Sequence, residues 1–408
     1  MGRAAKRCTI DVVQDLNGER VMPKVDDLSR SLAALDQDST LVGVIELSQM
    51  SWLVAGLVPG FERQPLKKLG ADPDAVVRLL HRWRAEALKA GRAIKRIAVA
   101  FEAGRDGFWL ARWLRRRGIE AHVIHAASVA VSREHRRAKT DRLDTEQLLR
   151  AFLGWLRGEK RHCQMCAVPS LEEEDGRRPG REHDALTRER TRLLNRVKAS
   201  MSQLGIRGFN VKLRGAAERL ADLRTPEGLA IPPNTQAELR REFERLELIR
   251  RQMQAIDTER LSRLEQAPRT KPNAAMLLLQ RIVGVGLETS DILTNEILLR
   301  PLRDRRAVGR YGGITGAPDE SGAKRREKGL AKAGNARVRH TMIQLAWRWT
   351  QFQKDSALTQ WFEERTKNAS KLVRKKMIVA LARKLLIALW RYVTDGVVPQ
   401  GTRLRSSA

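Results

Sequence analysis

The chain reads as an α/β amino-terminal domain followed by a helical coiled-coil region and a mainly α carboxy-terminal domain. Three observations carry this. Short β-branched apolar runs alternate with amphipathic stretches over residues 39–158, two long heptad-like stretches occupy much of 159–268, and residues 269–398 show helical periodicity with no clear strand. At 408 residues the chain is too long for one small core and suits two or three domains.

Residues 1–38 are polar without sustained periodicity and read as an extension outside the core. Thr40-Leu-Val-Gly-Val-Ile-Glu-Leu47 and Trp52-Leu-Val-Ala-Gly-Leu-Val58 are a strand pair, closed by the turn signal Pro59-Gly60. Pro73 opens an amphipathic helix that runs through about Ala90, with Val76, Leu79, Leu80, Trp83 and Leu88 as its apolar stripe. Ile97-Ala-Val-Ala-Phe101 is a buried-type strand ending at Glu102. A helix from Gly107 to Arg117 stops at Gly118, Glu120-Ala-His-Val-Ile124 is the next strand, and Thr140 to Leu156 is helical.

Ser170 to Arg181 is rich in charge, Gly and Pro, a linker composition. Beyond it, Leu186, Leu193, Leu194, Val197, Met201 and Leu204 mark one long helix. Leu239, Phe243, Leu246, Ile249, Met253, Ile256 and Leu264 mark a second, after Pro232-Pro233. That seam suits a partner helix of the same protomer or of another copy equally well. Residues 399–408 read as a tail.

Lys and Arg number 78 against 48 Asp and Glu, a formal net charge of +30 that seeks a polyanion, and nucleic acid is the first candidate. No stretch approaches the roughly 18 apolar residues of a membrane span, and no signal peptide follows the amino terminus, so the expectation is a soluble cytoplasmic protein. Three cysteines are too few for a disulfide framework. Cys163 and Cys166, preceded by His162, have the spacing of half a zinc site, but no second pair completes it.

Glu46 and Glu102 end apolar strands, where a carboxylate is costly unless paired or bound to metal. Asp141 and Asp144 stand three apart on one helical face, near a helix start where they also suit the macrodipole. Carboxylates so placed can converge at the carboxyl edge of a sheet and hold two divalent cations for phosphoryl transfer, Mg2+ or Mn2+ by the hardness of the oxygen ligands.

Val44-Ile-Glu-Leu-Ser48, Phe101-Glu-Ala-Gly104 and Lys139-Thr-Asp-Arg-Leu-Asp144 resemble, in order and spacing, the three signatures of the DEDD-motif transposases of bacterial insertion sequences, the bridge-RNA-guided recombinases. The resemblance implies an RNase H-like (RuvC-like) amino-terminal domain in which Glu46, Glu102, Asp141 and Asp144 bind magnesium. The family's first acid is usually Asp. Here it is Glu46, one methylene longer.

The same resemblance extends to the carboxy-terminal region. Val283-Gly-Val-Gly286 looks like a helix-hairpin-helix turn, in which Gly284 and Gly286 bring backbone amides to a DNA phosphate. Pro318, Ser321-Gly322 and Lys332-Ala-Gly-Asn-Ala-Arg-Val-Arg339 match the family's transposase domain. What this implies is that Ser321 is the nucleophile of a phosphoserine intermediate and that Lys324, Arg325, Arg326, Lys328, Lys332, Arg337 and Arg339 contact nucleic acid. It also implies donor and target DNA and a guide RNA as partners, and a dimer or tetramer whose catalytic domains meet across protomers. Tyr311 is the rival nucleophile, though no Arg-His-Arg constellation surrounds it, and His340 reads as a helix residue. A catalytically impaired nucleic-acid-binding relative and a metal-dependent junction nuclease are the alternatives.

Overall fold

The computed structural model describes residues 28–405 apart from 105, 130–140, 160–161, 212, 214, 322–323 and 332, with the backbone alone at 127, 141–142, 318–321 and 324–328. The chain divides after Val168 into two compact units.

The first unit is built on a mixed sheet. Its elements are β1 (Thr40–Leu47), β2 (Ser51–Leu57), β3 (Leu66–Gly70), α1 (Pro73–Lys89), β4 (Arg96–Glu102), α2 (Trp109–Arg115), β5 (Glu120–Ile124), α3 (Asp141–Leu156) and β6 (Met165–Cys166). The strand order is β3-β2-β1-β4-β5-β6. β1, β2 and β3 form an antiparallel meander, β4 and β5 run parallel to β1, and β6 closes the edge antiparallel. Pleating sends Leu41, Ile45, Ile97, Val99 and Phe101 to the face covered by α1 and α2. Val42, Val44, Ala98 and Ala100 go to the face covered by α3 through Leu148, Phe152 and Trp155.

α1 starts as expected, with Pro73 at N1 and Asp72 accepting from the Asp74 amide at 2.9 Å. Its stripe closes on Ala87, however, and Leu88 is 65% exposed. Gly56 on β2 is required by this packing: a Cβ there would stand 2.7 Å from the Trp83 ring.

Two strands escape apolar periodicity. β3 is an exposed edge strand carrying Lys67 and Lys68, and β6 is only two residues long. Residues 28–35, assigned to the extension by composition, pack on this unit: Leu28 and Leu35 lie against the α3 face, the Trp155 indole donates to Leu28 O at 3.2 Å, and Ser31 N donates to Trp155 O at 2.9 Å. Isolated leucines in a polar segment have no period by which to be found.

The second unit is largely helical: α4 (Leu171–Asp175), α5 (Arg178–Gln203), α6 (Pro233–Gln266), α7 (Lys271–Gln280), α8 (Leu287–Leu293) with a π-helical turn at Thr294–Leu298, α9 (Arg305–Tyr311), β7 (Gly316–Ser321), β8 (Lys324–Leu330), α10 (Ala336–Phe352), α11 (Ala357–Thr366) and α12 (Lys371–Asp395). The expected linker at 170–181 is helical instead. Ser170 and Glu173 form a reciprocal capping box (both hydrogen bonds 3.1 Å), and Pro179 is tolerated in the first turn of α5.

The seam residues Leu239, Phe243, Leu246, Ile249 and Met253 of α6 pack on Leu186, Leu193, Val197 and Met201 of α5, so the helix pair is satisfied within the chain. The expectation of no strand in the carboxy-terminal region is overturned by the β7–β8 hairpin. Its sequence is charged rather than apolar, so hydrophobic alternation could not reveal it. Among the described residues, no helix is long and apolar enough to cross a membrane.

Candidate active site

Glu46 and Glu102 are brought together by the sheet. The parallel register pairs Ile45 with Phe101, so the next residue of each strand is a carboxylate at the same edge. Both glutamates share the pleat parity of Val42, Val44, Ala98 and Ala100, which sets them on the face that α3 covers. Both are half-buried, and they line a cleft of about 320 Å³ with Leu47, Ser48, Gln49, Ala103, Gly104 and Asp106. Glu46 and Glu102 supply hard oxygen donors of the type that magnesium or manganese takes, and the exposed Asp106 lines the same cleft.

Sequence reasoning missed Asp106. It lies in a turn with no period of its own, four residues beyond the strand-end glutamate.

Asp141 is the first residue of α3, and Asp144 is half-buried four residues before the sheet-facing Leu148, on the same helical face. Asp144 is not among the described residues that line the cleft. Among the described residues, no three His, Cys, Asp or Glu side chains are close enough to hold one metal ion. Residues 130–140, which lead into α3, lie outside the described set, as does the side chain of Asp141.

Ser321 is the last residue of β7, opposite Lys324, at the end of the hairpin. The backbone register sets Asp319 opposite Arg326 and Glu320 opposite Arg325, so each of these arginines has an acidic residue as its cross-strand neighbour. Lys328 lies further along β8, Gly322 is outside the described residues, and Lys332 is too.

At its base the hairpin is pinched between α9 and α10. Asn335 N donates to Tyr311 O at 2.7 Å, and a Cβ on Gly334, at φ +82°, would come within 2.4 Å of Arg310 O. Only glycine fits there.

Beneath this base lies a charged network that sequence reasoning did not find. Glu296, on the π-helical turn and 4% exposed, accepts from Arg181 Nε at 3.2 Å and Asn335 Nδ2 at 3.0 Å. Burial opposes its ionisation, but Arg181 and the Asn335 amide outweigh that and hold its carboxyl below the usual range. Arg337 ion-pairs with Asp184 at 2.5 Å and donates to Gly180 O at 3.1 Å. Arg337, expected to touch nucleic acid, makes both of these contacts within the protein. Arg339 donates to Gly313 O (3.4 Å) and Ala333 O (3.3 Å) and is half-buried.

Tyr311 is half-buried under the Arg300 guanidinium, 4.6 Å from the ring centroid, and burial pushes its phenol up, which suits packing rather than nucleophilic attack. His340 is an exposed residue of α10. Cys163 is buried, with its thiol pushed up to about 12 by burial and its Sγ donating to Ala151 O at 3.5 Å. Gly284 (φ +95°) forms the turn between α7 and α8, and Gly286 is the N-cap residue of α8.

Residues 276–380, from α7 into α12, match the family described as "Transposase IS116/IS110/IS902 family". Over 375 residues the chain is 42% identical to a Sinorhizobium fredii protein named "Putative transposase y4rJ", covering 89% of this chain and 94% of the relative. A likeness of that depth across both units identifies the chain as a member of the IS116/IS110/IS902 transposase family.

Proposed function

We propose that this transposase exchanges DNA strands for an insertion sequence at sites chosen by a guide RNA, joining protein to DNA through Ser321 and using an RNase H-like acidic site. The observation that carries the reading is the pairing of Glu46 with Glu102 at the ends of adjacent parallel strands, on the lip of an open cleft. An antiparallel β1–β3 meander followed by β4 and β5 parallel to β1 supports an RNase H-like sheet. Asp141 and Asp144 complete the proposed set from α3. A magnesium or manganese ion bound by these carboxylates would offset charge on the phosphate and activate an oxygen nucleophile.

The Ser321 Oγ attacks a DNA phosphorus. One P–O bond forms to serine as one to deoxyribose breaks, and the departing oxygen leaves as a hydroxyl after taking a proton. The phosphodiester is thereby kept for rejoining. Lys324, Arg325, Arg326, Lys328, Lys332 and Arg339 are the cations proposed to meet the phosphate. Guidance by RNA follows the family resemblance: base pairing selects the site while the protein holds backbones.

The test is adduct formation on nicked and junction DNA in the presence of magnesium, read on a denaturing gel. Wild type is expected to form a protein–DNA adduct and S321A none. E102Q should lower adduct formation by roughly 10²–10³-fold, as loss of a group that stabilises transition-state charge does. Wild-type adduct from S321A would remove the serine from this role. Sequencing the copurified RNA should return a transcript mapping beside the chain's own gene, and no enrichment over a mock preparation would remove the guide.

A second reading rests on Glu46, the longer acid where the family has Asp: a nucleic-acid-binding relative with impaired catalysis, or a junction nuclease that uses the acids and water. E46D raising adduct yield severalfold would mark impairment, and free DNA ends indifferent to S321A would mark the nuclease.

A further inference from the structure

The carboxy-terminal segment that composition marks as a tail is docked. Ile282 and Leu404 form an antiparallel bridge, with Val283 N donating to Arg403 O at 3.2 Å and Arg405 N to Arg281 O at 2.6 Å. A buried side chain fastens the joint. Gln353, 1% exposed, donates through Nε2 to Val283 O (2.7 Å) and Arg403 O (3.0 Å) and accepts at Oε1 from Arg403 N (2.7 Å). All the hydrogen-bonding groups of that amide except one lone pair are thus spent on holding the tail to the turn.

Alternation along the two strands determines what the joint displays. Ile282 is fully buried and Leu404 is its direct neighbour, so residues 281, 403 and 405 fall on the opposite, outward face. All three are arginine and all three are exposed. Arg281 stands directly across from Arg405, an arrangement of like charges that opposes strand pairing. Among the described residues no carboxylate forms an ion pair with any of the three.

The adjoining turn adds two further features. The Gly284 and Gly286 amides have no hydrogen-bond acceptor among the described residues. Phe352, 50% exposed, lies against Gly284, where an added Cβ would come within 3.2 Å of it.

We propose that this joint is a clamp for the phosphate backbone of DNA, in which Arg281, Arg403 and Arg405 grip phosphates and the docked tail completes a surface that the turn supplies only in part. Guanidinium groups match phosphate geometry, and an external phosphate relieves the repulsion that the pairing of Arg281 with Arg405 creates. This rests on the reading of the chain as acting on DNA.

The experiment measures binding of the full chain to a labelled DNA duplex by fluorescence anisotropy over a range of salt concentrations. Removing a cation that neutralises one phosphate lowers the slope of log K against log salt by about 0.9, so R403A/R405A is expected to fall about 2 below wild type in slope. R403K/R405K should keep the slope. R240A/R251A, which removes the same charge from exposed positions on α6, should stay close to wild type.

Equal slopes for R403A/R405A and R240A/R251A would overturn the clamp. So would an effect confined to a single-stranded RNA probe. If wild type bound no duplex at all, the DNA reading and the clamp would fall together. A wild type that binds DNA and forms the serine adduct beside an unaffected R403A/R405A would sink the clamp alone.

Discussion

The sheet unit and the helical unit handle charge in opposite ways. Among the described residues of the sheet unit the buried polar side chains are the uncharged Ser31, Thr40 and Thr145, and Glu46 and Glu102 stand half-buried at the strand ends. In the helical unit Arg177, His183, Glu242, Arg260, Asp291 and Glu296 are buried. Arg260 of α6 reaches Asp291 of α8 at 3.1 Å, and Arg181 of α5 reaches Glu296 at 3.2 Å.

The difference separates two uses of an ionised group. At a rim it borders solvent. In an interior it must be matched, and a matched pair specifies which helix lies beside which.

The largest effect that tests this contrast comes from two swaps of nearly conserved volume. L148M in the core between α3 and the sheet should cost less than about 1.5 kcal/mol. R260M leaves Asp291 buried without its cation and should cost about 3–5 kcal/mol. Urea melts compare the two, and R260M/D291L is expected to recover most of the stability. Similar costs for L148M and R260M would break the comparison.

A middle-sized effect is the direction of pH dependence. His183 lies between Glu288 (3.4 Å from Nδ1) and Asp257 (3.8 Å from Nε2), pairings that are ionic rather than aligned hydrogen bonds. Glu288, then Asp257, outweigh burial and nearby Arg260 and hold the imidazole above its ordinary value of 6.5. A raised cationic group stabilises the fold fully below 6.5, and that contribution is lost as pH rises through the folded value.

In the sheet unit, burial opposes ionisation of Glu120, but hydrogen bonds from His122 and Arg96 outweigh it and hold its carboxyl at about 2. Its contribution is present above 4.5 and is lost as pH falls toward about 2. Amide exchange should therefore accelerate in α5 and α6 on the alkaline side and in β4 and β5 on the acid side. H183Q should flatten only the first. Acid loosening of α5 with β4 unchanged would reverse the assignment.

The same contrast governs what is legible in the residues alone. β1, β5, α3 and the α5–α6 seam follow apolar periods, and Glu46 and Glu102 are conspicuous as carboxylates closing apolar runs. The π-turn acid Glu296, its partners Arg181 and Asn335, and the Arg260–Asp291 pair are separated by long stretches of chain. Nothing local distinguishes them from the other charges of a strongly basic sequence. The β7–β8 hairpin pairs charged strands, and the tail at Arg403–Arg405 docks through backbone and one glutamine. Neither leaves an apolar signature.

The smallest predicted effect sharpens how far periodicity can be trusted. Leu88 belongs to the helical stripe of Val76, Leu80 and Trp83 by spacing, yet it is 65% exposed in the last turn of α1 while Leu80 is fully buried. Ala87 takes the inward position, and the chain turns away immediately afterwards through Gly91, at φ +75°. L80A should cost about 2–5 kcal/mol because a buried methyl cluster is removed and the sheet cannot collapse onto the gap. L88A should lie within about 0.5 kcal/mol of wild type, since it removes side chain that water already covers and restores a residue of higher helix propensity. A cost for L88A near that of L80A would mean that Leu88 is covered in solution, and the amphipathic stripe of α1 would then extend one turn beyond the sheet.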